Sequence, residues 1–314
     1  MIVFGPVPSR RLGRSLGINN IPPKACPYSC VYCQLGRTLD MQVGRRVFYQ
    51  PEAIASAVGD KVARAREAAQ TVDYLSFVPD GEPTLDLNLG REIDLLKPLG
   101  LPIAVITNSS LLWRQDVRQD LMAADWVSLK VDAVEQQIWR RIDRPHGSLD
   151  LTSILEGALA FARIYPGQLV TETMLVAKVN DAEQHLRAVA RFLARLEPDR
   201  AYLSIPTRPP AEPWAQAPIE AVVNRAYHLL SQEVAQVEVL IGYEGNAFAF
   251  TGDVEQDLLS ITAVHPMRRD AVDDYLARAG AGWPVVDRLV AQGELIEAEH
   301  GAHTFYLRRL RRPR

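Results

Sequence analysis

Long apolar runs are missing from this sequence. No stretch approaches the ~18 consecutive apolar residues that a helix needs to cross a bilayer, and the opening MIVFGPVPSRR carries no basic segment followed by such a stretch. The expectation is a cytoplasmic chain with no membrane partner. An excess of positive charge is missing too. Thirty-five basic against 38 acidic residues give a formal charge of -3 over 314 residues. That excludes a global field drawing the chain onto nucleic acid or anionic lipid, so any basic surface must be local. Cysteine is scarce: the chain has three, Cys26, Cys30 and Cys33, all within eight positions. An odd, clustered set does not suit a secreted disulfide framework, and a reducing compartment would keep such thiols free for metal. Against these absences stands a 47% hydrophobic content, enough for one large core or for one large and one small domain.

From about residue 50 helix-like and strand-like segments alternate. PEAIASAVGDKVARAREAAQ opens on proline and acid, as helices do, and VDYLSFV follows as a short strand. GREIDLLKPL and LPIAVIT, WRQDVRQDLMAA and DWVSLKVD, SILEGALAFARIY and QLVTETMLV, and EQHLRAVARFLARL and AYLSIP continue as helix and strand pairs. With a first strand near LGINNI, the count predicts six parallel strands in an α/β sheet. In DWVSLKVD, Val127, Leu129 and Val131 alternate with Trp126, Ser128, Lys130 and Asp132. A parallel strand covered on both faces is mostly apolar. A polar face towards the C-terminal end of this one points to a barrel whose mouth holds a ligand; a lysine–aspartate pair at a strand end is the alternative.

Residues 206–218, PTRPPAEPWAQAP, carry five prolines. This is either a stiff linker or, because a helix (IEAVVNRAYHLLSQ) and a strand (VEVLI) follow, an ordered loop across the barrel mouth. Beyond about 253 the pattern is three short helices and a hairpin, the outline of a winged helix. Residues 253–314 hold ten acids and nine arginines, five of the latter in the last seven positions. The third helix offers Arg288 beside Asp287, whereas a DNA-groove reader needs several basic or amide contacts. A protein-binding or substrate-capping module fits better, with RRLRRPR as a solvated end or a weak RNA contact. The expected architecture is therefore α/β: a partial (β/α)6 TIM-type barrel over 1–250 and a small winged-helix-like domain over 251–314.

Three thiolates within eight residues repel one another unless a cation holds them. A structural zinc wants four ligands, and the nearest histidine is His146. An iron-sulfur cubane also usually takes four cysteines. Three leave one iron without a protein ligand, open to a small molecule, as in catalytic metal sites.

The run Cys26-x-x-x-Cys30-x-x-Cys33, with Tyr32 before the last cysteine, resembles the signature of the radical S-adenosylmethionine (radical SAM) superfamily. The resemblance implies a [4Fe-4S] cluster on the three cysteines and chelation of its free iron by S-adenosylmethionine. One electron, from a donor such as flavodoxin or ferredoxin, then cleaves the sulfonium to methionine and a 5'-deoxyadenosyl radical that abstracts hydrogen. It also implies cofactor contacts at Tyr32, at Gly81, Glu82 and Pro83 of PDGEPTL, at Thr107, Asn108 and Ser109 of TNSS, and at Ser128, Lys130 and Asp132. Asp80 departs from the family's Gly-Gly-Glu pattern. The segments GPVPSRRLGRSLG and CPYSCVYCQLGRT further resemble a branch related to the tRNA wyosine-base synthases, over about the first 250 residues. No cysteine remains for the second cluster of the archaeal type.

Lys130 and Glu172 are the candidate catalytic residues. Glu172, mid-strand in VTETMLV, is either an ion-pair partner, for example of Lys130, or a proton-transfer or substrate group. Arg144 and His146 lie in DRPHGS at the barrel edge. Ser9, Arg10, Arg11 and Arg14 precede the cysteines, where forked arginine donors suit phosphate or carboxylate. The substrate is RNA or a nucleoside, a peptide or protein, or a small molecule. The reading from another class is a non-catalytic iron-sulfur or zinc sensor with a DNA-binding winged helix.

Overall fold

The computed structural model describes residues 2–240, 245, 246, 248, 250 and 252–309. Its main sheet follows chain order: β1 (Val3–Ser9), β2 (Gly13–Ile18), β3 (Tyr74–Phe77), β4 (Ile103–Thr107), β5 (Trp126–Lys130), β6 (Gln168–Met174), β7 (Arg200–Ser204) and β8 (Val237–Leu240). β1 and β2 form an antiparallel hairpin, and every later neighbour pair is parallel. Between the parallel strands run α1 (Pro51–Glu67), α2 (Leu89–Leu96), α3 (Gln115–Leu121), α4 (Gln136–Ile142), α5 (Leu151–Ala162), α6 (Glu183–Leu196) and α7 (Glu220–Ser231). The six expected strands are β2 to β7, and VEVLI adds β8 as a seventh; its Ile241 lies outside the described residues. β1 left little sequence signal because Pro6 and Pro8 break its alternation, which a strand at a sheet edge tolerates.

The two faces of the strands have different partners. Val127 and Leu129 of β5 pack with Leu75, Phe77, Val105 and Leu203 in the main core, which the helices cover. α6 supplies Leu186, Val189, Leu193 and Leu196, all buried at helical spacing. On the opposite face Ala104, Trp126, Val170, Tyr202 and Leu240 form a second cluster that also takes in Leu12, from the turn between β1 and β2. That turn therefore fills the barrel interior, and the parallel strands enclose packed side chains beneath the site.

After 253 come α8 (Val254–Val264), β9 (Met267–Arg268), α9 (Arg269–Arg278), α10 (Pro284–Ala291), β10 (Leu295–His300) and β11 (His303–Arg308), with strand order β9-β11-β10. Asp253 caps α8 by accepting from Gln256 N at 3.0 Å. The helices and strands share a core that includes Leu258, Tyr275, Leu289 and Tyr306, and Phe4 and Val7 of β1 belong to it as well. A Lys61–Asp257 ion pair at 3.4 Å joins α1 to α8. Of the arginine-rich RRLRRPR, residues 310–314 lie outside the described residues.

One buried carboxyl in this scaffold has a consequence for stability. Glu92 of α2 is fully buried and accepts from Asn20 Nδ2 at 3.1 Å. Burial and neighbouring Asp86 push its carboxyl up to about 9. A carboxyl raised on folding stabilises the fold fully below its ordinary value of 4.5 and loses that contribution as pH rises through the folded value. Glu92→Gln cannot ionise, so melting curves recorded between pH 5 and pH 10 should show a shallower alkaline loss than the parent protein; parallel curves would contradict the assignment.

Candidate functional site

The cysteine loop is fastened to loops that follow different parts of the barrel. Lys24 N donates to Asp80 O at 2.6 Å and Glu82 N to Ala25 O at 3.1 Å, which ties it to the segment after β3. Ser29 N reaches Asp143 O at 3.0 Å and Val31 N reaches Ile142 O at 2.9 Å, at the end of α4. From the proline-rich segment, Glu212 N donates to Val31 O at 2.9 Å, while the Glu212 carboxylate takes Arg37 at 2.8 Å and Arg144 at 2.5 Å. The proline-rich stretch is thus an ordered loop, held by two arginines of which sequence reasoning had placed one, Arg144, at the barrel edge.

Donors point at the sulfurs. Asn108 Nδ2 lies 3.2 Å and Tyr28 N 3.5 Å from Cys26 Sγ, and Lys24 Nζ lies 3.7 Å from Cys33 Sγ. Cys30 Sγ lies 3.4 Å from Asp143 Oδ1. Burial pushes the Cys26 and Cys30 thiols up, with Glu82 adding to the effect at Cys26 and Asp143 at Cys30. Ligation as thiolate therefore needs a strong positive centre to displace these protons. Among the described residues no three Cys, His, Asp or Glu side chains form a group that could hold a metal ion. The three cysteines instead line one cavity of about 380 Å³. Three thiol donors on one loop, with hydrogen-bond donors directed at two of the sulfurs, are a set that an iron-sulfur cluster would accept.

Tyr32, Gly81, Glu82, Thr107, Asn108, Lys130 and Glu172 line the same cavity as the cysteines. Gly81 is required by space: a Cβ there would run into the Ala25 carbonyl and come within 2.8 Å of Ile21 Cδ1. The Glu82 side chain is fully engaged. It accepts from Thr84 N at 3.1 Å, from the Thr84 and Thr107 hydroxyls at 2.6 Å each, and from Asn108 N at 2.7 Å. With Asn108 on Cys26, this carboxylate links the loops after β3 and β4 to the first cysteine. Burial pushes Asp80, next to Gly81, up to about 7, with Lys24 opposing.

Four expected contacts lie outside the cavity wall. Pro83 opens the buried turn Pro83–Leu85, Ser128 is buried within β5, and Ser109 sits at a left-handed φ of 68° and is buried. β5 ends at Lys130, so alternation no longer places Asp132 beside it. Asp132 instead accepts from Tyr32 Oη and, at 2.7 Å, from Met174 N. Lys130 Nζ stands 4.9 Å from the centre of the Tyr32 ring.

Lys130 and Glu172 are cross-strand partners in register, joined at 2.8 Å. Glu172 also takes Arg11, in close contact, and the Ser204 hydroxyl at 2.9 Å. Burial alone would raise the Glu172 pKa, but Arg11 and Lys130 reverse it and hold the carboxyl well below its usual range. Burial likewise opposes the charge on Lys130, and Glu172 and Asp132 outweigh it, so its pKa rises. Both groups stay charged near neutrality. Of the other candidates, Ser9, Arg10 and Arg11 line the cavity, while Arg14 is exposed and His146 sits in an exposed turn against Ser148. The wall also contains Lys24, Arg208 and His265, which sequence reasoning did not single out. Arg208 lies within the proline-rich segment whose alternative reading was a loop over the mouth; no pattern in the sequence marks His265.

The family model of the radical SAM superfamily matches residues 20–205. The chain belongs to the radical SAM superfamily. A UPF0026 protein of Methanocaldococcus jannaschii is 44% identical over 312 residues, covering 99% of this chain and 97% of that one. A UPF0026 protein of Helicobacter pylori is 37% identical over 211 residues, 66% of this chain and 67% of that one. Among solved structures, TYW1 with a lysine-pyruvate adduct bound aligns at TM-score 0.55 and 15% identity, covering 70% of this chain and 74% of that one. A radical SAM methyltransferase from Sphaerobacter thermophilus aligns at TM-score 0.52 and 14% identity, covering 72% and 66%. At these identities the structural likeness establishes a shared fold, the partial barrel of radical SAM enzymes.

Glu82→Ala strips the acceptor from Thr84 N, Asn108 N and two hydroxyls in a buried setting. The expected cost is roughly 2–4 kcal/mol, since each buried donor left unsatisfied costs ~1–3 kcal/mol. Chemical denaturation measures it, and an unchanged midpoint and slope would show that the carboxylate does not organise these strand ends.

Proposed function

We propose that the chain binds a [4Fe-4S] cluster through Cys26, Cys30 and Cys33, reductively cleaves S-adenosylmethionine, and directs the resulting radical to hydrogen abstraction from a substrate in the cavity. The observation that carries this reading is the convergence of all three cysteines with Gly81, Asn108 and Tyr32 on one cavity wall. When bound, the cluster supplies one electron to the sulfonium, giving methionine and a 5'-deoxyadenosyl radical. The chain's own residues do the rest. Asn108 and Lys24 direct hydrogen bonds at the sulfurs of Cys26 and Cys33, which would tune the potential of a cluster held there. Gly81 lets the segment after β3 pack against the Ala25 carbonyl of the cysteine loop, which seats that loop beside the cavity. Tyr32 and Lys130 present an aromatic face and a fixed positive charge to it.

TYW1 is known with a lysine-pyruvate adduct, but Lys130 here is held as an ammonium by Glu172 and Asp132. That favours an electrostatic contact over Schiff-base chemistry, which needs the free amine. Glu172, held ionised between Arg11 and Lys130, acts as a positioning residue for both cations. In this reading the barrel over 1–250 carries the chemistry, and a winged-helix-like domain over 251–314 caps its mouth through His265. The site lies in the cytoplasm and receives its electron from a flavodoxin or ferredoxin. Among the described residues no helix is long and apolar enough to cross a membrane.

Anaerobic reconstitution with iron and sulfide, followed by dithionite and S-adenosylmethionine, tests the proposal. Mass spectrometry should detect 5'-deoxyadenosine from the parent protein and at least a hundredfold less from Cys30→Ala. Equal yields from both proteins, or none from a parent carrying its full iron complement, would overturn it.

A further inference from the structure

Asp132 is expected from the sequence among the cofactor contacts, yet it lies outside the cavity wall and is only 2% exposed. Its surroundings give it a different task. Beyond the end of β5 the chain stays fastened to β6: Val131 N donates to Glu172 O at 2.9 Å, and the Thr173 hydroxyl donates to Val131 O at 2.8 Å. Asn180 Nδ2 bridges Asp132 O at 2.9 Å and Met174 O at 2.8 Å. The position of Asp132 is therefore set by two strands and by the segment after β6. Its carboxylate gives one oxygen to Met174 N at 2.7 Å and the other to the Tyr32 hydroxyl. The Asp143 carboxyl, 3.4 Å from Cys30 Sγ, is a further neighbour.

Tyr32 does line the cavity. Its backbone lies in a turn closed by Cys33 N on Cys30 O at 3.1 Å, so the cysteines decide where the side chain starts. They do not decide where the ring points, since the χ1 and χ2 of a tyrosine leave several orientations open. Two contacts remove that freedom. The hydroxyl is tied to Asp132, and Lys130 Nζ stands 4.9 Å from the ring centre, itself held by Glu172 at 2.8 Å. A bond at the tip of a ring acts far from its backbone, where its leverage over the ring's orientation is greatest.

We propose that Asp132 is a positioning residue for S-adenosylmethionine: by holding the Tyr32 hydroxyl it carries the placement of β5 and β6 to the ring on the cavity wall, and it does not touch the cofactor itself. The proposal rests on the reading of this cavity as the cofactor's chamber. A wall whose side chains are already locked by supporting hydrogen bonds loses less freedom when its ligand arrives. Tyr32→Phe keeps the aromatic face and loses the tether. Asp132→Ser shortens the acid so that it no longer reaches the Tyr32 hydroxyl.

Anaerobic calorimetry of the reconstituted full-length protein with S-adenosylmethionine, without reductant, measures binding and no turnover. Each single variant should raise the dissociation constant roughly fivefold to twentyfold, and the double variant should lie within about twofold of the weaker single, because both changes break one linkage. Arg187→Gln, on the exposed face of α6, should bind as the parent does. Iron content and near-UV circular dichroism check each variant, and Asp132→Leu, of similar size and without an acceptor, takes over if Asp132→Ser does not fold. An acid that served only the fold would lower the denaturation midpoint and leave the dissociation constant alone, which would overturn the proposal. Losses that multiply in the double variant would overturn it too, since Asp132 would then act on the cofactor directly or through Asp143 and Cys30. A parent that carries its iron and binds no S-adenosylmethionine would instead remove the cofactor reading beneath it. The same four proteins are also unfolded in denaturant without iron or cofactor. There the stability losses of the two singles should fall short of adding in the double variant, and strictly additive losses would show that no bond joins Tyr32 to Asp132.

Discussion

Three sulfurs on one short loop can be thiolates together only when a positive centre neutralises them, and much of the surrounding structure follows from that constraint. The loop is not left to find its own shape. It is hydrogen-bonded to the segment after β3, to the end of α4 and to the proline-rich segment after β7. Each of these attachments is a backbone contact or a carboxylate held by arginine, so the cysteines are presented by the barrel frame. Glu82 is the clearest case. Its carboxylate spends its acceptor capacity on the strand ends around it, including the backbone of Asn108, whose amide in turn points at Cys26.

The same economy governs the charged residues. Lys130 and Glu172 face each other because β5 and β6 run parallel in a register that pairs them, and Arg11 joins them because its turn folds into the barrel. A carboxylate between two cations remains ionised, and a lysine beside two carboxylates remains protonated. The site therefore offers fixed charges and hydrogen-bond donors more than proton-transfer groups. That suits chemistry in which a cofactor does the hard step and the protein binds and orients.

Much of this was legible in the sequence because the signals were local or periodic. The cysteine spacing, the alternating helix and strand segments, and the polar face of DWVSLKVD need only a few neighbouring residues to be read, and they marked the strands, the cysteines and Lys130. What escaped depends on distant contacts. β1 is broken by prolines that its edge position accommodates. The burial of Leu12 beside Trp126 and the approach of His265 to Arg208 join residues more than fifty positions apart. Asp132 illustrates the limit of alternation: the strand ends two residues earlier, and beyond that point the period of two no longer says where a side chain goes.

In the proposed function, a cluster on Cys26, Cys30 and Cys33 keeps one iron for S-adenosylmethionine. Electron paramagnetic resonance of the reduced, reconstituted protein tests it directly, since a ligand on the iron itself changes the principal g values. The expected outcome is a cubane spectrum that shifts on addition of S-adenosylmethionine and is unaffected by an equal concentration of adenosine. A reduced cluster whose spectrum is the same with and without S-adenosylmethionine would contradict it.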